Sequence, residues 1–488
     1  MDTHLPLFEG IRHHAAPFEN AAAHARAAGW NVFKFPSWGV PLDFLSDSGT
    51  GPLSPAQTAL IAETDCRVHN AYGMRQSFWL LSKMMGRVFG LGEYEKDFHF
   101  FPFPQGRAAE AVFFGCLRDA LAKDVSPQVY GIVPSNSHFD TTRANIELAG
   151  MQAKDFPVDT ATLAADDMFR GNMDIEAFAG LLGRIAFAKN MRVPVVFMTV
   201  TNNTRGGLPV SMENIRETNE LCRNHKIPFF LDAARFAENA YFIKKYERGY
   251  EAKTILAIVH EMFSYCDGFL ISFKKDGLSH TGGGMVLKKN KSILLERYPG
   301  LPDAIATRLI ITMSNDTQGA IPGGYQLAIA EGLRTAVTEE YLEMRVSQVA
   351  RFGKMFTDAG LPVLEPFGGH AVYLDVDRFF ADTAMRREDF GGIALTGLLL
   401  LHGVRACELG AFAFGTYDPA TGKETFPDFN FVRFAVPRRE YDDGELAVAV
   451  QAVKKLYDAR HTIPRAVPVY GRDLSLRHFK ARFELRVL

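Results

Sequence analysis

Asp232 ends an apolar run in the segment KIPFFLDAARF, and Arg235 follows three residues later. The run predicts a buried parallel strand, and open α/β sheets bind their ligands at the carboxyl ends of such strands. A carboxylate at that place can keep a heterocyclic nitrogen protonated, and Arg235 can reach the same ligand. Taken alone, the pattern is more typical of an Asp that caps the helix after the strand.

A lysine pair ends a second apolar run, GFLISFKKDG, where Ser272, Lys274 and Lys275 stand together. Two ammonium groups at a buried strand end cost free energy unless an anion is present. One of them can meet a phosphate together with Ser272, and the other can form an imine with an aldehyde. KKDG alone is also a common turn sequence. Combined with Asp232, the pair favours a site for pyridoxal phosphate (PLP), an aldehyde whose pyridine ring withdraws electrons.

Other segments supply groups that such a cofactor needs. Gln105, Gly106 and Arg107 precede an amphipathic helix, and backbone N–H groups at a helix N-terminus, a close-approach glycine and an arginine fork together make a phosphate cradle. Phe139, in SNSHFDTTR, can stack on a planar ring, and Asn203, in TNNTRGG, is a side-chain donor. Each motif is weak alone, because a lone Phe is usually a core residue and NNTRGG is also a turn sequence.

The elements that must position these residues alternate along the chain. From about residue 100 to 330, the short runs VYGIVP, VPVVFMTV, IPFFLDA and GFLISF are separated by longer helical stretches, which predicts βαβ units and a mainly parallel sheet. Residues 54–90 have helical spacing after the start signal Ser54–Pro55. We expect an N-terminal segment (1–49) that packs with a small domain, a large cofactor-binding domain (50–335) and a small α+β domain (336–488).

The bulk composition excludes several function classes. A length of 488 residues suits a two-domain enzyme subunit. The formal net charge of -2 offers no basic field for nucleic acid or membrane surfaces. The five cysteines form no CxxC pair, so we expect reduced thiols in a cytoplasmic protein. The N-terminus lacks the pattern of a signal peptide, and no apolar run is long enough to predict a membrane span.

From about residue 44 to the C-terminus, the chain carries LSDSGTG, PQGRAAE, DAARFAENAYFIKK, SFKKDG followed by GGGM, GGHAVYLD and LRHF. In order and spacing these motifs resemble the β-eliminating lyases, the family of tryptophanase and tyrosine phenol-lyase. The resemblance implies the aspartate-aminotransferase-like PLP fold (fold type I), an α/β architecture. It also implies a homotetramer, a dimer of dimers, that splits the Cβ–Cγ bond of an aromatic amino acid into pyruvate, ammonia and the arene.

The resemblance implies a role for each matching residue. Lys275 matches the imine lysine, which also takes the Cα proton, and Asp232 matches the partner of the pyridine nitrogen. The remaining cofactor ligands implied are Gln105, Gly106, Arg107, Ser272 and Lys274 at the phosphate, Phe139 stacked on the ring, and Arg235 and Asn203 near the phenolic oxygen. On the substrate side, Thr50 falls at a contact position, and Tyr72 matches a tyrosine that assists proton transfer. Arg433 matches the arginine that forks onto the α-carboxylate, although its position alone also suits a surface residue.

Three positions favour tryptophanase over phenol-lyase within the resemblance. Leu409 occupies the place where phenol-lyases have an arginine, and Asp140 and His478 replace a threonine and an aromatic residue. An aliphatic pocket with these two polar groups suits an indole, whose one polar handle is an N–H donor. Asp140 is also readable as a helix cap, and His478 as a surface residue. The prediction is therefore that tryptophan and water give indole, pyruvate and ammonia.

The chain also departs from the family pattern. Asn70 stands where the family's monovalent-cation (K⁺) site has a glutamate, which removes one ligand charge, and no other metal site is predicted. Arg205 replaces an alanine, and Pro104 replaces a histidine before the QGR motif. These changes leave tyrosine, a substituted tryptophan or an S-substituted cysteine open as substrates. A PLP aminotransferase is another alternative, whereas a non-catalytic scaffold would not need both Lys275 and Asp232.

Overall fold

The computed structural model describes residues 14–124, 130–188 and 190–488. Its contacts divide the chain into two compact units. The large unit comprises Ser48–Ala350 and Glu365–His370, and the small unit comprises the described residues up to Asp47, Arg351–Leu364 and Ala371–Leu488. The domain limits expected from the sequence, at residues 49 and 335, stay a prediction, and residues 1–13 of the expected N-terminal segment lie outside the described residues.

The regular elements are numbered in chain order. The helices are α1 (Ala21–Ala27), α2 (Pro55–Ala62), α3 (Cys66–His69), α4 (Gln76–Phe89), α5 (Gly106–Asp124), α6 (Asp140–Leu148), α7 (Ile175–Phe187), α8 (Met212–Asn224), α9 (Phe236–Tyr246), α10 (Ile255–Ser264), α11 (Ile293–Arg297), α12 (Leu301–Met313), α13 (Gly323–Ala336), α14 (Glu339–Asp358), α15 (Val376–Phe379), α16 (Gly391–Leu399), α17 (Asp443–Asp458) and α18 (Arg477–Lys480). The strands are β1 (Leu42–Asp43), β2 (Phe98–Phe103), β3 (Tyr130–Ser135), β4 (Gln152–Asp155), β5 (Met191–Arg192), β6 (Val196–Thr199), β7 (Phe229–Asp232), β8 (Gly268–Ser272), β9 (Gly283–Lys288), β10 (Ala371–Asp375), β11 (Val404–Arg405), β12 (Cys407–Leu409), β13 (Thr416–Asp418), β14 (Lys423–Thr425), β15 (Phe431–Ala435), β16 (Arg465–Tyr470) and β17 (Arg482–Arg486).

The large unit is built on a mixed sheet whose centre is parallel. Its described strands run in the order β2-β9-β8-β7-β6-β3-β4, with β5 beside β3. The five strands from β8 to β4 in this order are parallel to one another, and β9 is antiparallel to both β8 and β2. Consecutive parallel strands are joined through helices, as the alternating sequence pattern predicts. The predicted α/β fold with a mainly parallel sheet is therefore confirmed.

Both faces of the sheet are buried at its centre, which explains why β6, β7 and β8 are apolar up to their last residues. Along β7, Phe229 and Leu231 belong to one hydrophobic core, and Phe230 between them belongs to the other. Strand β8 alternates in the same way, with Phe269 in the first core and Leu270 in the second. Two hydrophobic layers thus fix the strand register, so polar side chains that follow the strands emerge at one edge.

The carboxyl ends of three neighbouring strands meet at that edge. Asp232 is paired in register with Thr199 on β6 and with Leu270 on β8. Strand β8 then continues to Ser272, one turn before Lys275. Because these strands are parallel, the groups at their ends lie side by side, where open α/β sheets bind ligands.

The small unit contains an antiparallel sheet in the order β10-β15-β12. The backbone N–H of Ala435 on β15 donates to the carbonyl of Phe44, which attaches the N-terminal segment to this sheet. Strand β1 pairs in parallel with β11, where Arg405 forms an ion pair with Asp43. Asn31 donates to the carbonyl of His478, which joins the segment to the C-terminal end of the chain.

The helical prediction for residues 54–90 is correct at both ends and wrong in the middle. Ser54 caps α2 in a reciprocal pair with Gln57, as the start signal predicts. The chain then breaks into α2, α3 and α4, with an irregular stretch at residues 70–75 that contains Gly73 at φ +115°. An L residue avoids that conformation, so a continuous helix is excluded there.

Candidate active site

Asp232 is not the cap of the helix that follows it. Helix α9 begins at Phe236, and the N–H of Ala237 in its first turn donates to Asp276 at 2.8 Å. Asp232 instead accepts a hydrogen bond from the N–H of Ala234, at 3.3 Å. Since Asp276 supplies the capping carboxylate, the helix-cap interpretation of Asp232 is wrong. The buried carboxylate of Asp232 instead lies at the carboxyl edge of the sheet.

Positively charged neighbours partly offset the effect of burial on the pKa of Asp232. Burial raises the pKa of Asp232, while the positive charges of Lys275, Arg235 and His138 lower it. The net pKa is above the ordinary value, because burial outweighs these charges. A buried carboxylate of this kind gains most from a cationic partner such as a protonated ring nitrogen.

Lys275 lies in the turn after β8, over an aromatic ring. Its Nζ is 5.5 Å from the centre of the Phe139 ring, and its backbone N–H donates to the carbonyl of Ser272 at 3.2 Å. The segment KKDG does form a turn, so the structural interpretation of the motif is also correct. That turn places an amine, an aromatic face and the Asp232 carboxylate around one point.

Cationic groups gather at the start of α5. Burial lowers the pKa of Lys274, and the charge of nearby Arg107 lowers it further. Gly106 opens the helix beside β8, and a Cβ at Gly106 would lie 3.3 Å from Cβ of Ser272. Two like charges beside the N–H groups of a helix N-terminus are stabilised by an anion, and this is where the sequence predicts the phosphate of PLP. Gln105 precedes this turn, and its backbone forms a bridge to Gly282.

The LSDSGTG motif packs against the same lysine. The N–H of Gly49 donates to the carbonyl of Lys274 at 2.7 Å. Gly49 has φ +71°, and a Cβ there would lie 2.8 Å from Cε of Lys274, so the close approach requires a glycine. Thr50 follows directly and is exposed. The motif therefore borders the predicted phosphate cradle in the large unit.

Asn203 is held by a histidine. His370 Nε2 lies 2.8 Å from Asn203 Oδ1, so Nε2 is the donor in this contact. Gly207 has φ +68°, and a Cβ there would lie 2.5 Å from the His370 ring, which leaves room for glycine alone. His370 lies within GGHAVYLD, but the sequence analysis did not assign it a role.

Glu110 is a second buried carboxyl group near Asp232. Burial and the charge of Asp232 raise the pKa of Glu110 to about 7. The carboxyl group accepts hydrogen bonds from Thr141, Thr142 and Asn145 on α6, at 2.8 to 3.1 Å. The sequence analysis missed Glu110, although it lies in the motif PQGRAAE. Asp140 is the first residue of α6 and accepts from the N–H of Thr141 at 2.6 Å, whereas Phe139 holds the N-cap position, so Asp140 is not the helix cap.

The small unit brings Arg433 and Leu409 to one face of its sheet. Arg433 on β15 pairs in register with Cys407, and Leu409 pairs with Phe431, so the four side chains share a face. Leu409 is buried, and Arg433 is 8% exposed, which rules out the surface interpretation of Arg433. Its Nη2 donates to the carbonyl of Leu45 at 3.0 Å.

His478 is buried next to the same apolar cluster. Its ring is edge-on to Phe33 at 5.8 Å, and Phe33 packs against the cluster that contains Leu409. The alternative interpretation of His478 as a surface side chain is therefore wrong. Arg433, Leu409 and His478 thus belong to one neighbourhood of the small unit.

Tyr72 and Asn70 lie on the irregular stretch between α3 and α4. Tyr72 is 77% exposed, and no contact among the described residues joins it to Lys275 or Asp232. Asn70 Oδ1 accepts a hydrogen bond from the N–H of Gly323 at 2.7 Å. The side chain that replaces the family glutamate is thus already used to hold the start of α13.

Metal ligands, membrane-spanning helices and cysteine thiols are considered next, for the described residues. They contain no cluster of histidine, cysteine or carboxylate side chains able to hold a metal ion. None of the helices in residues 14–124, 130–188 and 190–488 is long and apolar enough to cross a membrane. All five cysteines are free thiols, and Cys66 alone among them is exposed.

Comparison with known proteins places these residues in a family. The sequence model of the beta-eliminating lyases matches residues 43–452. The chain belongs to the β-eliminating lyase family. A tryptophanase from Hyphomonas neptunium is 36% identical over 96% of this chain and 95% of its own. A tyrosine phenol-lyase from Symbiobacterium sp. strain SC-1 is 35% identical over 94% of this chain and 93% of its own.

Solved structures support the fold. A serine palmitoyltransferase from Sphingomonas wittichii has a TM-score of 0.55 at 14% identity and covers 87% of this chain and 89% of its own. An aromatic aminotransferase from Pyrococcus horikoshii has a TM-score of 0.56 at 14% identity and covers 86% of this chain and 96% of its own. The predicted PLP fold of type I is confirmed, and this family member is a PLP-dependent β-eliminating lyase.

Proposed function

We propose that the chain removes an aromatic side chain from an amino acid, with tryptophan as its preferred substrate. The products are then indole, pyruvate and ammonia. The position of Leu409 carries this choice, because it presents a buried aliphatic side chain on the same sheet face as Arg433. An aliphatic wall suits an indole, whereas an arginine at that place suits a phenol. A tryptophanase and a tyrosine phenol-lyase are about equally identical to this chain, so overall identity does not separate the two substrates. The choice therefore depends on Leu409.

The cofactor assignment rests on the groups around Lys275. PLP supplies an aldehyde and an electron-withdrawing ring when it is bound. Lys275 would hold the aldehyde, and its amine would take the Cα proton of the substrate. Asp232 would keep the ring nitrogen protonated, and Phe139 would pack on the ring. Arg235 and Asn203 would orient the phenolic oxygen, and the phosphate is assigned to Gln105, Gly106, Arg107, Ser272 and Lys274.

The remaining assignments concern the substrate. Arg433 binds the α-carboxylate with its planar fork, and Thr50 is a further contact. The leaving carbon must receive a proton before the arene departs, and Tyr72 is assigned this step. Asp140 and His478 are assigned to the indole N–H and its orientation. The use of Asp140 at the start of α6 is compatible with this role, because a carboxylate has two oxygens.

We further propose a homotetramer, arranged as a dimer of dimers. Tyr72 is largely exposed, as are the nearby Met74 and Trp79. Exposed apolar side chains that cluster in this way are typical of a surface that another chain covers. Such an assembly would give Tyr72 a partner surface.

Two finer assignments accompany this proposal. The five free thiols favour a cytoplasmic enzyme. Activation by K⁺ is weak or absent in this proposal, because Asn70 brings no charge and already accepts a hydrogen bond from Gly323.

The function is tested by measuring indole and pyruvate from purified enzyme with PLP and L-tryptophan. L-tyrosine and an S-substituted cysteine are assayed in parallel at equal concentration. We expect kcat/KM for tryptophan to exceed that for tyrosine by at least about tenfold, in line with a difference of about 1.4 kcal/mol in transition-state binding. A higher value for tyrosine or for the cysteine derivative would overturn the substrate assignment and leave the lyase intact. Amino-group exchange without pyruvate would overturn the reaction itself.

A matched pair of variants tests the role of Leu409. Leu409→Met keeps an apolar side chain of similar volume, whereas Leu409→Arg buries a charge on the sheet face. We expect L409M to retain most of the activity with tryptophan and L409R to lose at least about tenfold. Equal activity of the two variants would show that Leu409 does not face the substrate.

A further inference from the structure

Three phenylalanine rings lie together at the margin of the apolar cluster that contains Leu409. The ring of Phe431 stacks on that of Phe429, with 5.8 Å between the centroids and 10° between the planes. Phe414 meets Phe429 edge-on, at 5.4 Å between the centroids. All three rings are half-buried, whereas Leu409 and Cys407 within the cluster are 5% and 3% exposed. Aromatic side chains that are partly exposed together, rather than singly, are typical of a surface that binds an apolar group.

Phe431 lies on the same face of the small sheet as Leu409 and Arg433. It pairs in register with Leu409 on β12. Arg433 follows two residues later on β15, so its side chain emerges about 6.6 Å farther along the same face. Tyr373 on β10 pairs with Arg433, and its ring meets Phe431 edge-on at 5.9 Å. A guanidinium group and an aromatic ring are thus neighbours on one surface of the small unit.

Asn430 fixes the loop that carries the third ring. Its Oδ1 accepts a hydrogen bond from the N–H of Ala411 at 3.1 Å, and its Nδ2 donates to Asp377 at 2.7 Å. The N–H of Phe414 donates to the carbonyl of Gly410 at 3.0 Å, which closes the loop. The positions of the rings are therefore set by hydrogen bonds of the backbone as well as by their own contacts.

A cation beside aromatic rings matches the two ends of an aromatic amino acid. Arg433 offers a planar fork for a carboxylate. Only the α- and β-carbons separate that carboxylate from the arene, so the arene must lie close to a neighbour of Arg433. Phe431 on one side offers a ring, whereas Ala435 on the other side along β15 offers only a methyl group. Aromatic rings attract each other at centroid distances of about 4.5–7 Å, which agrees with the spacing between Arg433 and Phe431.

We propose that Phe431 is a specificity-determining residue that forms one wall of the arene subsite, with Leu409 beside it and Phe429 stacked behind it. The inference rests on the proposed function and names a second residue that selects the aromatic side chain. Phe429 covers one face of the ring and Tyr373 meets its edge, so the ring is held in place before a substrate binds. Its contribution to binding therefore depends on the arene and not on the α-carboxylate.

The test compares the binding of L-alanine and L-phenylalanine to the PLP-loaded enzyme, measured by isothermal titration calorimetry. The two ligands have the same amine and α-carboxylate, so the ratio of the Kd of L-alanine to that of L-phenylalanine isolates the arene. We expect Phe431→Leu to lower this ratio about fivefold, with the Kd of L-alanine unchanged, because a contact between two rings is lost. Phe431→Tyr keeps the ring and should keep most of the ratio. In parallel, kcat/KM for tryptophan should fall about fivefold in Phe431→Leu.

Phe426→Leu is the matched control for loss of a ring. Phe426 is also half-buried and lies edge-on to Phe390 at 6.4 Å, but it is not among the described members of the cluster around Leu409. Its ratio of Kd values should equal that of the wild type. Phe431→Met also removes the ring, and it tests the proposal if Phe431→Leu fails to fold.

The possible outcomes separate this proposal from the proposed function. A wild-type ratio in the variants without the ring, an equal loss for both ligands, or a similar fall in Phe426→Leu would overturn the role of Phe431. A wild-type enzyme that binds L-phenylalanine no better than L-alanine would instead overturn the aromatic substrate class of the proposed function.

Discussion

At the scale of single residues, the site depends on two carboxylates, one that caps a helix and one that lies at the edge of the sheet. Asp276 caps α9, and this leaves Asp232 at the strand edge beside Lys275 and Arg235. Sequence alone could not divide these tasks, because Asp276 is forty-four residues beyond Asp232 and reaches the helix start only in the folded chain. The pairing of Asp232 with Lys275 could be predicted, since both end apolar runs of a parallel sheet.

Glu110 and His138 could not be predicted from their residue types. Both lie within motifs that the sequence singled out, PQGRAAE and SNSHFDTTR, but their importance comes from tertiary neighbours. Glu110 faces the hydroxyls of α6, and His138 meets Asp155 across two strands. The burial that alters their surroundings is a property of the packed sheet and leaves no pattern in the local sequence.

A pH-dependent contribution to stability follows from Glu110. Its folded pKa is about 7, against an ordinary value of 4.5, so the folded chain holds a proton that the unfolded chain releases between these values. The stability that Glu110 contributes is fully present below pH 4.5 and is lost as the pH rises through 7. The loss is on the order of 3 kcal/mol. Glu110→Gln removes this titration, so its thermal midpoint as apoprotein should fall less than the wild-type midpoint between pH 5 and pH 8.

The control for this experiment is Glu220→Gln, since Glu220 is an exposed carboxylate on α8. Its midpoints should follow those of the wild type across the same pH range. Curves for Glu110→Gln that run parallel to the wild type would contradict the pKa of Glu110 given above.

At the scale of elements, strand ends were easier to predict than loops. The apolar runs predicted β7 and β8 because both faces of the sheet are buried there and each strand is apolar up to its final polar residue. The interruption between α3 and α4 was not predicted, because helical spacing continues on both sides of Gly73. The shared face of Arg433 and Leu409 also depends on strand register, which short strands such as β12 do not encode locally.

The turn after β6 gives a prediction at this scale. In Gly207→Ala, the new Cβ would lie 2.5 Å from the His370 ring at a backbone φ of +68°. We expect a loss of about 1–3 kcal/mol in the free energy of unfolding, together with displacement of His370 from Asn203. Denaturant unfolding of the apoprotein measures the first effect, and weaker PLP binding reports the second.

Gly249→Ala is the matched control for this prediction. Gly249 lies in the same unit and also has a positive φ, +92°, but a Cβ there would meet nothing within 4 Å. It isolates the backbone strain from the collision with His370. Equal PLP affinity and equal stability in the two variants would show that the collision has no effect.

At the scale of the whole molecule, the family, the fold type and the division into two compact units define a PLP-dependent lyase. The apolar side chains exposed around Tyr72 predict that the chain does not act alone. Sedimentation equilibrium of the enzyme with PLP should give four times the chain mass of 54.3 kDa. A monomer at assay concentrations that retains full activity would contradict both the tetramer and its use of Tyr72.

The central claim, that Lys275 holds the cofactor, is tested most directly by fixing the link chemically. The enzyme is loaded with PLP, reduced with borohydride and digested, and the peptide that carries the added pyridoxyl mass is sequenced by mass spectrometry. The account predicts a single modified site at Lys275, with no label at the adjacent Lys274 and none at that site in Lys275→Ala. Label on Lys274, or an unlabelled chain despite bound PLP, would contradict it.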